Sequence, residues 1–140
     1  MNKNNKKSNS ILSIVVLFIV AILFSVILLQ GVKIKETDDM ISISGGLFYS
    51  EEIAYSDIKD IELRDVIIYG NRVNGASLLK YRLGNFKNDE FGNYKLFADS
   101  SIGKFIVLKY KENTIVFNFK DLSETNSLYN RLFEKSKLNN

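Results

Sequence analysis

Four side chains near the middle of the chain have the chemistry to hold a ligand: Arg72 and Asn74 in "RVNG", and Lys80 and Arg82 in "KYR". A guanidinium beside an Asn-Gly pair docks a carboxylate or phosphate through parallel N–H donors. A salt bridge from Arg72 to the acids of the first half is the structural alternative. Asn88, Asp89, Glu90 and Asn93 in "NDEFGN" offer the oxygen ligands a hard cation prefers. The twelve-residue calcium pattern with its closing glutamate is missing there, and a hairpin turn accounts for the same residues. The glycines of "RVNGASLLKYRLG" do not open a helix behind a strand, so no phosphate-cradling loop is expected and Gly75 and Gly84 are assigned to turns or bulges. The chain has no Cys and no His, which removes thiolate nucleophiles, the commonest general base and the commonest transition-metal ligand. Paired carboxylates could still do acid and base work, but no pair is placed in a pocket by sequence. No catalytic residue, cofactor or metal ligand is therefore named.

The elements that must position these residues belong to a folded chain, because 46% apolar and 25% charged residues match globular usage and exclude wholesale disorder. The formal charge of +3 is supplied entirely by Lys3, Lys6 and Lys7. From Lys33 onward 16 bases balance 16 acids, so no basic face of the kind a nucleic acid attracts is indicated. Within that neutral part, Glu36 to Asp65 holds nine acids against Lys59 and Arg64, and the remainder to the C-terminus is net +5. Opposed strands are expected to pair these charges.

Residues 1–10 read as a basic cytoplasmic tail. "ILSIVVLFIVAILFSVILL", Ile11 to Leu29, carries only Ser13 and Ser25 as polar side chains. As a helix it rises about 28 Å, close to the hydrocarbon thickness of a bilayer, so a transmembrane helix is expected over 11–31, with Ile11 to Leu29 in contact with lipid. A secretory signal has a shorter apolar stretch and a small-x-small cleavage site, and "FSVILLQGVK" places Ser25 and Gly31 at the wrong spacing. Three lysines and no acid precede the stretch, whereas "KIKETDD" follows it with two lysines and three acids. Lysine bias puts the N-terminus in the cytoplasm and the following domain outside.

After a linker over 32–39, the hydrophobic period becomes alternating, the mark of half-buried strands. "MISISGGLFYS" predicts a hairpin turning at Gly45 and Gly46. Ile53 and Tyr55, then Ile61 and Leu63, fall at strand spacing. "LLKYRL" puts Leu79, Tyr81 and Leu83 on one face and Lys80 and Arg82 on the other, and "YKLFA" repeats the pattern with Tyr94, Leu96 and Ala98. "FIVLKYKENTIVFNF" is a second hairpin about "KEN", apolar enough to be covered on both faces. The cover is an amphipathic helix capped by Asp121, with Glu124 at the reciprocal capping-box position and Leu128, Tyr129, Leu132 and Phe133 on one stripe. Six or seven strands and this helix make a mainly β domain over 40–137, a small antiparallel barrel or bent sandwich plugged by the helix.

From about Met40 to Phe133 the residues resemble the bacterial pleckstrin-homology-like (PH-like) domains of small membrane proteins. The resemblance is carried by "IAYSDIKDIEL", the "RVNG" turn with Arg72, Asn74 and Gly75, the "GNF" step with Gly84 and Phe86, and the ending "FNFKDLSETNSLYNRL". It implies a partly open barrel of two nearly orthogonal antiparallel sheets capped by the last helix. Phosphoinositide-binding members of the wider fold carry bases around the first hairpin. Here "SISGGLFYSEE" has none and two acids, so that activity is not expected.

The expected function is a non-catalytic binding or assembly module at the membrane surface, with a protein partner and no nucleic acid. Arg72, Asn74, Lys80 and Arg82 are its candidate ligand contacts. The alternative is a carrier or sensor holding an apolar or lipid ligand in the barrel, which requires a cavity; an enzyme ranks last.

Overall fold

A computed structural model describes residues 3–28, 31–46, 48–78 and 80–138, with side chains over 11–26, 31–46, 48–75, 77 and 80–138. The chain divides into two units, Met1–Gln30 and Gly31–Asn140.

The first unit is one helix, α1 (Lys3–Leu28), with exposed apolar side chains from Ile11 to Val26. Among the described residues no helix is long and apolar enough to cross a membrane, so the span expected over 11–31 is not supported by the structure. Leu29 lies outside the described residues.

The second unit holds nine strands and a helix among its described residues. β1 (Val32–Glu36), β2 (Met40–Gly45) and β3 (Tyr49–Ala54) form an antiparallel meander, followed by a single 3-10 turn at Tyr55–Asp57. β4 (Ile58–Arg64), β5 (Asn71–Leu78), β6 (Tyr81–Asn88), β7 (Gly92–Asp99), β8 (Phe105–Tyr110) and β9 (Asn113–Phe117) form a six-stranded sheet in the order β4-β8-β9-β7-β6-β5. α2 (Leu122–Leu138) closes the chain.

Three expectations are corrected. Residues 32–36, read as linker, are β1; "VKIKE" alternates half-buried with exposed positions, and Ile34 pairs with Ile43. The larger sheet is mixed, because β7 and β9 run parallel from Lys95↔Ile115 to Phe97↔Phe117. The "RVNG" turn is strand: Asn74 and Gly75 lie inside β5, which reaches Leu78, and Leu78 pairs with Tyr81 of β6. Leu79, placed on a strand face by sequence, is outside the described residues. Gly75 stands opposite Gly84, and a Cβ on Gly75 would sit 2.1 Å from the Leu83 carbonyl oxygen. These glycines permit close backbone approach across a pair of strands, and the bulge falls between Arg72 and Asn74.

Period-2 alternation on the central strands feeds two cores, which is why they read as continuous apolar runs. Toward the meander and α2 point Leu83, Phe97, Ile106, Leu108, Tyr110, Ile115 and Phe117, meeting Ile41, Ile43, Ile53, Leu128 and Leu132. The opposite face buries Phe86, Tyr94, Leu96, Ala98, Phe105, Val107 and Val116. That face is covered by a strap, residues 65–70, in which Ile67 is buried while Val66 and Ile68 are exposed.

α2 begins as its sequence predicts, with the Glu124 N–H donating to Asp121 Oδ1 at 2.8 Å. The Asp121 N–H donates to the Phe119 carbonyl at 2.6 Å, so the other half of the capping box is taken by the backbone. Buried Thr125 donates its hydroxyl to the Asp121 carbonyl at 2.8 Å and accepts from the Phe119 N–H at 3.0 Å, fixing the angle at which the helix enters. At the far end the Lys135 ammonium donates to Tyr55 Oη and to the Thr37 carbonyl, each at 3.0 Å, tying the helix to the meander.

Candidate functional site

The four candidate residues share the β5–β6 hairpin without forming one site. Arg72 lies opposite Phe86 and Asn74 opposite Asn85, while Arg82 lies opposite Ser77 and Lys80 sits in the turn. Asn74 and the level of Arg82 are three residues apart along the hairpin, about 10 Å at about 3.4 Å per strand residue, and Arg72 and Lys80 lie farther out on either side. Arg72 is exposed and has no ion pair among the described residues, so the salt bridge to the acidic half is not made there. Lys80 pairs with Asp99 at 2.7 Å. The Arg82 guanidinium lies over the Tyr69 ring, 4.9 Å from its centroid, a cation–π contact that ties β6 to the strap.

The acidic first half is neutralised elsewhere, strand against strand. Lys109 pairs with Asp60 at 2.9 Å, Lys111 with Asp57 at 3.0 Å and Arg131 with Glu36 at 2.7 Å, and Lys95 pairs with Glu51, whereas Lys59 of the acidic half goes to Glu112 at 2.6 Å. Most are surface pairs and worth little singly. They bring bases of the second half onto Glu36, Glu51, Asp57 and Asp60 of the first.

Two polar centres escaped sequence reasoning. Asn118 is fully buried; its amide donates to the carbonyls of Asp99 at 2.9 Å and Lys104 at 3.1 Å and accepts from the Asp99 N–H at 2.8 Å. It joins the ends of β7 and β9 to the turn before β8. Burial pushes the neighbouring Asp99 carboxyl up, but the Lys80 ammonium, the Ser101 hydroxyl and the Ser101 N–H outweigh it and hold it below the usual range. The second centre is Glu51, which accepts from Tyr110 Oη at 2.6 Å and pairs with Lys95. Burial and this carboxylate hold the Tyr110 phenol above its ordinary range. Nothing in "FNF" or "SEE" marks these residues, because their partners are supplied by register alone.

Asn88 spends its amide on structure, donating to the Ile68 carbonyl at 2.7 Å and accepting from the Phe91 N–H at 2.7 Å. Glu90 pairs with Arg64. The "NDEFGN" cluster is therefore the β6–β7 hairpin turn and an anchor for the strap. Among the described residues no group of three or more His, Cys, Asp or Glu is arranged to hold a metal.

The inner core is occupied by large side chains: Tyr55, Phe97, Phe117, Ile41, Ile43, Leu108 and Leu128 are all fully buried. Two clefts lie outside it. One of ≈ 300 Å³ is lined by Val73, Asn85, Asn93, Lys95, Asn113 and Thr114 among others, and one of ≈ 420 Å³ borders the strap at Ile68, Gly70 and Asn71. Asn74 is thus beside the first cleft, whereas Arg72, Lys80 and Arg82 line neither.

A protein-family profile described as "Bacterial PH domain" matches residues 32–132. No curated protein and no solved structure matches the chain. The matched region begins at β1 and ends within α2, so it takes in the strand that sequence reasoning had left to a linker.

Proposed function

Because the chain belongs to the bacterial PH domain family, we propose that it is a non-catalytic binding or assembly module held at the surface of a bacterial membrane by Ile11 to Leu29. The observation that carries the module half is the filled interior: Phe97, Leu108, Ile115, Phe117, Leu128 and Leu132 occupy the space in which a carrier would hold an apolar ligand. That packing supports binding at the outer surface, whereas a carrier would need a cavity among these side chains. The anchoring half is supported by the sequence, in which nineteen successive residues hold only two serines among apolar side chains. Lysine bias supports a cytoplasmic N-terminus and an external domain, with a protein partner recruited there.

The cysteine-free chain makes the test clean. With Asn140→Cys, intact cells treated with a membrane-impermeant maleimide label the full-length product. Labelling only after lysis overturns the orientation, and labelling of a shortened, soluble product overturns the anchor.

A further inference from the structure

One face of the six-stranded sheet is divided. Half is buried beneath the meander and α2, and the other half is open and polar. Asn85 on β6 stands opposite Lys95 on β7, and Lys95 pairs with Ile115 on β9. Two residues back along β7 and β9 are Asn93 and Asn113, which share that face because side chains alternate along a strand. β7 and β9 pair only from Lys95↔Ile115 to Phe97↔Phe117, so Asn93 and Asn113 stand just before that ladder begins, and one cleft touches all three amides. All three are exposed and line the ≈ 300 Å³ cleft with Val73. Among the described residues none of their side chains is engaged by another protein group.

The chemistry is specific. Each primary amide presents a donor and an acceptor side by side. Vicinal ring hydroxyls do the same, so three amides around one cleft complement a sugar's hydroxyl edge. No carboxylate lines the cleft, and its one cation, Lys95, is turned to Glu51, which leaves a nearly neutral surface. Val73, 64% exposed at the β5 bulge, adds an apolar contact for ring C–H groups or an acetyl methyl. An extended peptide fits less well: β6, β7 and β9 are interior strands of the sheet, and strand addition needs a free edge.

We propose that this cleft binds a neutral saccharide. The assignment rests on the reading of the domain as a binding module and names a ligand class for it, independently of how the chain is anchored.

The side-chain amides give the readout. Full-length protein, labelled with nitrogen-15 in a sugar-free phosphocholine detergent, is titrated with N-acetylglucosamine tetrasaccharide, with cellotetraose and with blocked tetra-alanine. The expected result is movement of the Asn85, Asn93 and Asn113 side-chain NH2 signals with at least one saccharide at a millimolar midpoint, weakened at least about tenfold, or about 1.4 kcal/mol, by Asn93→Ala with Asn113→Ala. The backbone amide spectrum of that exposed double variant checks its fold. Absence of movement in the wild-type protein with both saccharides, or movement only with tetra-alanine, overturns the saccharide assignment. Either result leaves the maleimide test of anchoring and orientation untouched.

Discussion

The two faces of the six-stranded sheet are closed by different means. Where it is buried, the inner face is covered by elements drawn from both ends of the domain, with Ile41, Ile43 and Ile53 arriving from the meander and Leu128 and Leu132 from α2. The outer face is covered by six consecutive residues, 65–70, which lay Ile67 over the sheet. Polar contacts hold that strap: Tyr94 Oη donates to the Tyr69 carbonyl at 2.8 Å, and the Asn88 amide reaches the Ile68 carbonyl. Closing the inner face requires the whole domain to assemble, whereas the outer face is closed locally and can open locally. Stability should therefore be concentrated on the inner side, and local opening on the outer.

The largest effect that sharpens this contrast comes from deleting one side chain on each face. Leu108→Ala empties part of a fully buried site between β4 and β9 and is expected to cost about 3–5 kcal/mol in urea unfolding. Ile67→Ala, in a strap that can settle inward, is expected to cost about 2 kcal/mol or less. Equal losses would mean the strap is as rigid a part of the core as β8.

A smaller effect comes from alkali. Burial pushes the Tyr94 phenol from 10.0 up to about 12. A raised tyrosine pKa contributes stability that is fully present below the unfolded value and is lost as pH rises through the folded one, here from pH 10.0 to about 12. The whole contribution is at most about 3 kcal/mol. Tyr94→Phe should flatten that decline while costing about 1 kcal/mol at neutral pH for the lost bond to the strap. The decline left over includes Tyr69 and Tyr110, whose phenols are also held high, Tyr69 by burial and Tyr110 by burial and Glu51. An unchanged alkaline profile would show that the outer face is wet at Tyr94.

How far the sequence made this legible follows from the physics of each element. The β2–β3 and β8–β9 hairpins and α2 were readable because alternation, turn residues and an Asp cap are local signals, and each reports on burial a few residues away. β1 was hidden because "VKIKE" has only two apolar positions and three charged ones. The β5–β6 turn was misplaced because Asn-Gly is a turn signal by propensity, whereas here Gly75 answers a contact with Gly84 nine residues on. The parallel β7–β9 pairing leaves no periodic trace at all. For the site, Lys80 and Arg82 could be recognised as polar outliers in an apolar run, but their partners Asp99 and Tyr69 come from other elements. The amide cleft was illegible for the same reason, since three asparagines on three strands become neighbours only once register is fixed.

The account stands most directly on where the chain resides. Membranes from cells making the unaltered protein, washed in alkaline carbonate and assayed by intact mass, should retain the full 140-residue chain in the lipid pellet. Recovery in the supernatant of a chain shortened by about 30 residues, the length of a removed signal segment, would contradict the proposal of a tethered binding module.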